Sequence, residues 1–144
     1  MTIPALESAW NARDGRAVAA AFTPNGVRHE YALPGARLEG REAIAQQAAG
    51  YIHAVPDCRL EIRNVVEGVG DEVTVEWTYH GTHTGDLPGL PAQGEQVALH
   101  GVSVCTMRGD LIEEERVYWD AATLLAGAGV LGSAEPIGNE LPLA

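Results

Sequence analysis

The clearest structural signal in the chain lies in residues 72–120, EVTVEWTYHGTHTGDLPGLPAQGEQVALHGVSVCTMRGDLIEEERVYWD. It contains three runs in which apolar and polar residues alternate, the pattern of half-buried strands. A Gly- and Pro-rich connection separates the first two runs, and a short turn separates the last two. Consecutive strands joined in this way favour an antiparallel sheet. Asp120 ends the third run directly before an apolar segment, at a predicted strand-to-helix junction.

The remaining segments predict helices before this sheet and one helix after it. Residues 4–22 read as two short helices, 23–26 as a turn, 27–33 as a strand, 33–40 as a second turn, 41–54 as a helix that Pro56 ends, 58–68 as a strand and 121–131 as a closing helix. This order predicts a single α+β domain over residues 1–131, followed by a tail over 132–144. Helices that cover one face of a strongly curved, mostly antiparallel sheet enclose a central pocket, a geometry that suits small molecules.

Charge and composition exclude several kinds of partner and chemistry. The net charge is −11, which argues against nucleic acid and anionic membrane as partners, because both are bound mainly through Lys and Arg. All nine basic residues are arginines, so a Schiff-base lysine and a P-loop lysine are excluded. No secretory signal and no run of apolar residues long enough to span a membrane is visible, so we expect a cytoplasmic protein.

The motifs of several enzyme classes are missing. The chain has no GxSxG, GxGxxG or HExxH sequence, which argues against a serine hydrolase, a dinucleotide site and a zinc protease. His80 and His83 are three apart on a predicted strand and so point to opposite faces, which makes them a poor metal-chelating pair. Cys58 and Cys105 are predicted to be free, buried thiols. We therefore expect no metal and no cofactor.

The predicted last strand carries the charged candidates. Period two places Glu114, Arg116, Tyr118 and Asp120 on one face, and hydrophobicity does not show which face is inside. In one interpretation Glu114, Arg116 and Asp120 line the pocket, where burial would raise the pKa of Asp120 and a nearby Arg would lower it. In the other, Asp120 caps the helix that begins at Ala121. We expect Glu113 and Glu115 to lie on a solvated edge.

Histidines and aromatic residues supply the other candidates for the site. His29 and His100 are each candidates for a structural role or a role in the pocket, and His100 shares a strand face with Val102 and Val104. If that face lines the pocket, His100 could orient a substrate oxygen or relay a proton to Asp120. A subset of the aromatic residues would suit a flat, conjugated ligand; the candidates are Trp10, Tyr31, Tyr51, Trp77 and Tyr118.

Several of these motifs together resemble the SnoaL-like polyketide cyclases, a branch of the cone-shaped NTF2-like superfamily. The resemblance lies in the G-T-H-x-G sequence at 81–85, in Ile112, Glu114 and Asp120 of the last strand, and in Asp120, Leu124, Leu125 and Gly129 of the closing helix. LEGREAIAQQ and VPDCRLEI upstream are also similar to the family. The resemblance covers roughly residues 5–130.

The resemblance implies a cofactor-independent enzyme in which the aspartate at position 120 is the acid and base of an intramolecular aldol ring closure. His100 or His83 would then steady the developing enolate oxygen. A second reading keeps the pocket but makes the protein an isomerase, dehydratase, epoxide hydrolase or hydroxylase, because fold does not fix function. A third is a non-catalytic protein that binds a small ligand. The superfamily also implies a homodimer paired through the outer face of the sheet.

Overall fold

Six strands form one curved sheet, because the alternating segments pair side by side along most of their length. A computed structural model describes residues 2–32 and 35–130, so the predicted tail over 132–144 lies outside the described residues. The helices are α1 (Thr2–Asn11), α2 (Gly15–Ala20), α3 (Arg41–Ala54) and α4 (Ala121–Gly127). The strands are β1 (Phe22–Glu30), β2 (Ala36–Glu39), β3 (Arg59–Glu67), β4 (Glu72–Thr82), β5 (Gln96–Arg108) and β6 (Leu111–Trp119).

The sheet is open and mixed, with the strand order β2-β1-β6-β5-β4-β3. Every neighbouring pair is antiparallel except β1 and β6, which run parallel. The parallel pair brings the first long strand next to the last one, so that residues 28–30 lie beside residues 115–117. The predicted α+β class with a curved, mostly antiparallel sheet under helices is confirmed.

The helices lie on one face of the sheet and bury the core there. One apolar cluster joins α1, α2 and α3 to the sheet, with Trp10, Phe22 and Ile44 among its buried members. A second cluster lies beneath the end of α3 and α4, and includes Val55 and Leu124. Asp14 begins α2 by accepting hydrogen bonds from the backbone amides of Arg16 and Ala17, the usual capping role of an aspartate.

Two local predictions about β1 and β2 are wrong. The segment 23–26 was expected to be a turn before the first strand, but β1 already begins at Phe22, and the irregular register between Phe22 and Val27 absorbs this segment. Residues 36–39 were expected to belong to a turn, but they form the edge strand β2. Four residues are too short a run for alternation to stand out in the sequence.

Candidate functional site

The inner face of the sheet is set by the cross-strand register. Trp77 of β4 lies opposite Gly101 of β5, and Gly101 lies opposite Trp119 of β6. Residues that are directly opposite share a face, as do residues two apart along one strand. Glu115 and Trp119 therefore point towards the helices, into the space where Trp77 lies.

A cavity occupies this space between the sheet and the helices. Most of its lining is apolar or aromatic, and it combines side chains from α1, α3, α4, the sheet and the connection between β4 and β5. The apolar and aromatic lining residues are Leu6, Trp10, Tyr51, Ala54, Val55, Leu60, Ile62, Val75, Trp77, Tyr79, Leu87, Leu90, Leu99, Cys105, Trp119 and Leu124. The remaining lining residues are polar: Arg28, His83, Ser103 and Glu115. Such a lining is typical of a small-molecule site.

A buried charged cluster meets the cavity at Arg28. The Arg28 Nε donates to Glu115 Oε1 at 3.0 Å, and Arg28 Nη2 lies 3.9 Å from Glu30 Oε2. Arg28 also donates to the side-chain oxygen of Gln47, and its guanidinium carbon lies 5.9 Å from the centre of the Tyr51 ring. Burial alone would lower the pKa of Arg28, but the neighbouring carboxylates outweigh it and raise that pKa, so the guanidinium stays charged.

Glu30 is held in place by three donors. Its Oε1 accepts hydrogen bonds from the Trp119 indole at 2.9 Å and from the Ala32 backbone amide at 3.0 Å, while Oε2 accepts from the Tyr51 hydroxyl at 2.8 Å. Because Tyr51 is buried beside this carboxylate, its pKa is raised well above the usual value, and it remains a hydrogen-bond donor. Glu30 thus fixes two aromatic side chains of the cavity wall.

His83 and Glu95 form a second polar group of the cavity. His83 follows β4 on the inner face, and its Nδ1 lies 2.9 Å from Glu95 Oε1. The two residues also pair through the backbone, with the His83 amide donating to the Glu95 carbonyl at 2.9 Å. His83 is fully buried, and within the described chain its Nε2 has no hydrogen-bond partner. An orphaned buried nitrogen in a cavity lining is unusual and indicates a place for a ligand atom.

The carboxylate of Glu95 is ionised at neutral pH. Burial would raise the pKa of Glu95, but hydrogen bonds from its own backbone amide, from His83 and from the Gln93 amide outweigh burial and lower it. An ionised carboxylate only accepts hydrogen bonds, so Nδ1 of His83 carries the proton between them. In the neutral imidazole, Nε2 then has a lone pair and no hydrogen.

The G-T-H-x-G sequence is shaped to hold His83 in this position. A Cβ on Gly81 would lie 2.2 Å from the Val55 side chain, so only glycine lets the strand approach α3 this closely. The Thr82 amide and hydroxyl donate to the Asp57 carboxylate at 2.7 and 2.9 Å. Beyond His83, the Gly85 amide donates to the Ala54 carbonyl. The segment is therefore tied to the end of α3 on both sides of the histidine.

Of the residues expected in the site, four lie in the cavity lining: Trp10, Tyr51, Trp77 and His83. The structure corrects the expectation for the others, which have their side chains on the outer face of the sheet or at its rim: His29, Tyr31, His100, Val102, Val104, Glu114, Arg116, Tyr118 and Asp120. Hydrophobicity left the face of β6 open, and because period two carries through a whole strand and its neighbours, the face that the register turns outward takes these candidates with it.

Asp120 caps α4. Its Oδ1 accepts from the Thr123 amide at 3.1 Å, its Oδ2 accepts from the Thr123 hydroxyl, and the residue is exposed. The described lining of the cavity does not include it. Between the two interpretations of Asp120, the geometry corresponds to the helix cap.

The charged face of β6 is reversed relative to the sequence-based interpretation. Glu114 and Arg116 are bonded to each other at 3.2 Å, but on the outer face, where Glu114 also lies 3.4 Å from His29. Glu115 was expected on a solvated edge, but it is buried because Arg28 on the parallel neighbour β1 neutralises it. The sequence of β6 alone does not show the partner of Glu115, so a charge that is paired and buried in the fold has the sequence pattern of a surface charge.

The other outer-face candidates form an aromatic and polar surface. The Tyr31 ring stacks between His29 and Tyr118, with centroid distances of 5.8 and 5.0 Å. Nδ1 of His100 lies 3.3 Å from the Thr78 hydroxyl, and both residues belong to a shallow outer groove with Val102 and Tyr118.

Five polar residues of the site were missed from the sequence: Arg28, Glu30, Glu95, Ser103 and Glu115. One signal could have identified the inner face. Gly101 lies in a strand interior, where glycine often marks a close approach by another group. The group is the Trp77 indole, whose ring would lie 2.2 Å from a Cβ at position 101 and whose Nε1 donates to the Ser103 hydroxyl at 3.0 Å.

The described residues can be searched for a metal site and for a membrane-spanning helix. Within residues 2–32 and 35–130, no three His, Cys, Asp or Glu side chains converge as a metal site would require. Among the helices of the same residues, none is long and apolar enough to cross a membrane. Cys58 and Cys105 are both free and buried, and burial raises the pKa of the Cys105 thiol, which lines the cavity.

Comparison with solved structures identifies proteins of the same fold. A protein of ketosteroid isomerase-like fold from Catenulispora acidiphila has 24% identity and a TM-score of 0.77, over 94% of this chain and 97% of its own. IdmH from Streptomyces antibioticus, provisionally described as a polyketide cyclase, has 26% identity and a TM-score of 0.72, over 90% and 96%. AclR from Streptomyces galilaeus, provisionally described as a hydroxylase, has 21% identity and a TM-score of 0.79, over 94% and 87%.

No protein with a curated description matches the sequence. The family model for the SnoaL-like polyketide cyclases matches residues 1–127, which is most of the 144-residue chain and includes the cavity and the G-T-H-x-G segment. The chain belongs to the SnoaL-like polyketide cyclase family, with an NTF2-like fold.

Proposed function

We propose that this protein is a cofactor-independent enzyme that closes a ring in a small polyketide-like carbonyl compound by an intramolecular aldol reaction. The observation that carries the proposal is the cavity, which is mostly apolar but holds a few fixed polar groups. Membership of the SnoaL-like family supports an enzymatic, cyclase or isomerase type of role. The reaction needs only proton transfer and the stabilisation of an enolate, both of which side chains can supply.

The lining divides these tasks among its residues. Trp10, Trp77 and Tyr79 offer flat aromatic surfaces to a conjugated substrate. The Ser103 hydroxyl accepts a hydrogen bond from the Trp77 indole and keeps its own proton free to donate to a carbonyl oxygen. Arg28 lines the same cavity as an ion-paired guanidinium, so it offers N–H donors to the site while its charge is balanced by Glu115 and Glu30.

A filled cavity provides the test. Leu99 and Val102 lie on the same strand but on opposite faces, so Leu99→Trp fills the cavity while Val102→Trp changes only the outer face. Wild type and both variants are incubated with a panel of anthraquinone and other polyketide esters, and products are separated by mass-resolved chromatography, with circular dichroism to verify folding. We expect a product of unchanged mass from wild type and Val102→Trp, and none from folded Leu99→Trp. No conversion of any compound by wild type contradicts the proposal.

Activation of water is the second candidate function, and it is favoured by Glu115. This carboxylate lines the cavity next to Arg28. The sequence indicated Glu114, Arg116 and Asp120 for the same role, but the described lining of the cavity does not include them. A water molecule held at Glu115 would suit an epoxide hydrolase or a dehydratase run in reverse, because both add water without a change of oxidation state. Incorporation of heavy oxygen from labelled water into the product distinguishes this reaction from ring closure, which takes up none.

Two expectations about the protein's surroundings stay predictions: a cytoplasmic location and a homodimer paired through the outer face of the sheet. Tyr31 and Tyr118 support the dimer, because these stacked rings are 51% and 49% exposed. We expect Tyr118→Glu to shift sedimentation from dimer to monomer. Sedimentation of wild type as a monomer contradicts the dimer.

A protein that only carries a ligand would bind a panel compound tightly and return it unchanged.

A further inference from the structure

The orphaned nitrogen of His83 is the most unusual polar atom of the cavity. The residue is 0% exposed, its Nδ1 is engaged by Glu95, and Nε2 has no partner among the described residues although His83 lines the cavity. Leaving a buried polar nitrogen without a partner is unfavourable, so the fold gains nothing from it as a structural element. A ligand atom that binds Nε2 removes that penalty.

From this geometry we infer that His83 is the group that takes and returns the proton, with Glu95 as its positioning residue, in place of the carboxylate of Asp120. The inference rests on the proposed ring closure. The ionised Glu95 accepts the hydrogen bond from Nδ1 and thereby fixes the tautomer in which Nε2 of this cavity-lining residue keeps a free lone pair. Asp120 has both carboxylate oxygens engaged by Thr123 at the rim.

The step conserves atoms and electrons. Nε2 removes a proton from a substrate carbon next to a carbonyl; the C–H bond breaks, an N–H bond forms, and the electron pair moves to the carbonyl oxygen as an enolate. The enolate carbon then attacks a second carbonyl of the same molecule, forming a C–C bond and an alkoxide. The alkoxide takes the proton back from Nε2, so His83 ends as it began and no oxidant or co-reactant is needed.

The backbone explains why the imidazole stays in place. Thr82 is bound to Asp57 and Gly85 to Ala54, so the residues on both sides of His83 are fixed to the end of α3. The cross-strand pairing of His83 with Glu95 fixes the partner carboxylate as well. A general base held in this way loses little orientation freedom when the substrate binds.

Nitrogen NMR tests the dyad without any substrate. In protein labelled with ¹⁵N-histidine and assigned with His83→Gln, we expect Nδ1 of His83 to be protonated and Nε2 to be free of hydrogen. Glu95→Gln removes the ionised acceptor, so we expect the two tautomers to mix. Addition of 2-naphthol, a flat hydroxyl donor that resembles an enol, should shift the Nε2 resonance of His83. A protonated Nε2 with an unprotonated Nδ1 in wild type overturns the inference.

Turnover on a panel compound that wild type converts tests the chemical role. We expect His83→Gln to lower kcat by about 10²- to 10⁴-fold, the usual contribution of a general base. Glu95→Gln should lower kcat less and leave KM unchanged, and His53→Gln, an exposed histidine at the end of α3, should retain full kcat. Full turnover by folded His83→Gln overturns the inference but leaves the proposed ring closure intact. If NMR shows the expected tautomer of His83 but wild type converts no compound of the panel, the proposed ring closure is contradicted instead.

Discussion

Gly101 shows how one small residue shapes the cavity. The Trp77 indole covers its Cα, and an added Cβ would lie 2.2 Å from the ring. We expect Gly101→Ala to displace the indole, to break its hydrogen bond to Ser103 and to lower the free energy of unfolding by about 1–3 kcal/mol, the usual cost of overpacking. Urea denaturation followed by tryptophan fluorescence measures this change.

Gly50 is the control for this substitution. It lies in α3 with no atom within 4 Å of an added Cβ, so Gly50→Ala should raise the free energy of unfolding by about 0.5–1 kcal/mol through helix propensity. Equal effects of the two substitutions would show that the indole does not occupy the space over Gly101.

Arg28 and Arg116 occupy adjacent strands but opposite faces. Arg28→Met leaves Glu115 and Glu30 buried without their cation, and we expect a loss of about 3–5 kcal/mol in the free energy of unfolding. Arg116→Met removes a partly exposed pair with Glu114, for which about 0–1 kcal/mol is typical.

The double variant Arg28→Met with Glu115→Leu separates the cost of an unpaired charge from the cost of lost packing. Replacing both ions of a buried pair by apolar groups is often neutral, so we expect the double variant to recover part of the stability lost by Arg28→Met. Urea denaturation compares the three variants. A double variant less stable than Arg28→Met would contradict the role of Glu115 as a buried, paired charge.

The segment from Gly81 to Gly85 depends on Asp57. Hydrogen bonds from the Thr82 amide and hydroxyl lower the pKa of the Asp57 carboxyl below its usual 3.8. Since the folded pKa is the lower one, this carboxylate contributes stability above the unfolded pKa, and that contribution is lost as the pH falls through the folded pKa. We expect the difference in urea midpoint between wild type and Asp57→Asn to be full at pH 6 and to disappear as the pH falls below 3.8.

Hydrogen exchange gives a local readout at the same position, with a variant that removes the acceptor altogether. The Thr82 amide should exchange faster in Asp57→Ala, while the amide of Val75 in the middle of β4 should keep its protection. A difference in urea midpoint that does not depend on pH, or an unchanged exchange rate at the Thr82 amide, would contradict a stabilising role for the hydrogen bonds from Thr82 to Asp57.

Most elements could be predicted from the sequence because their signals are local. The 3.6-residue pattern and Pro56 place α3 at residues 41–54, the range that the structure shows. β3 to β6 follow from alternation and turn residues. β2 was missed because an edge strand of four residues depends on its partner β1 and has too few residues for a pattern of its own.

The faces of the strands could not be predicted in the same way. The inner face of β6 carries Glu115, and its burial depends on Arg28, 87 residues earlier in the chain. Only the parallel pairing of β1 with β6 brings these charges together, and nothing local in either segment indicates that pairing. The pairing of His83 with Glu95, in contrast, follows from the register of the β4–β5 hairpin.

The whole molecule places its two sets of candidate residues on opposite sides of one sheet. The cavity side holds Arg28, His83 and Ser103 among apolar walls, while the outer side holds Tyr31, Tyr118 and the Glu114–Arg116 pair. The family resemblance directed attention to Asp120, which lies at the rim between the two sides as the cap of α4. The proton transfer that we propose therefore belongs to the cavity side, at His83, and not to the rim.

A comparison of kcat for His83→Gln and Asp120→Asn on one converted substrate tests that location most directly. Asparagine retains the capping oxygen, so Asp120→Asn should fold normally and change kcat less than threefold, or about 0.6 kcal/mol. His83→Gln should lose about 10²-fold or more. The reverse result, with activity abolished in Asp120→Asn and retained in His83→Gln, would contradict the assignment of proton transfer to the cavity histidine.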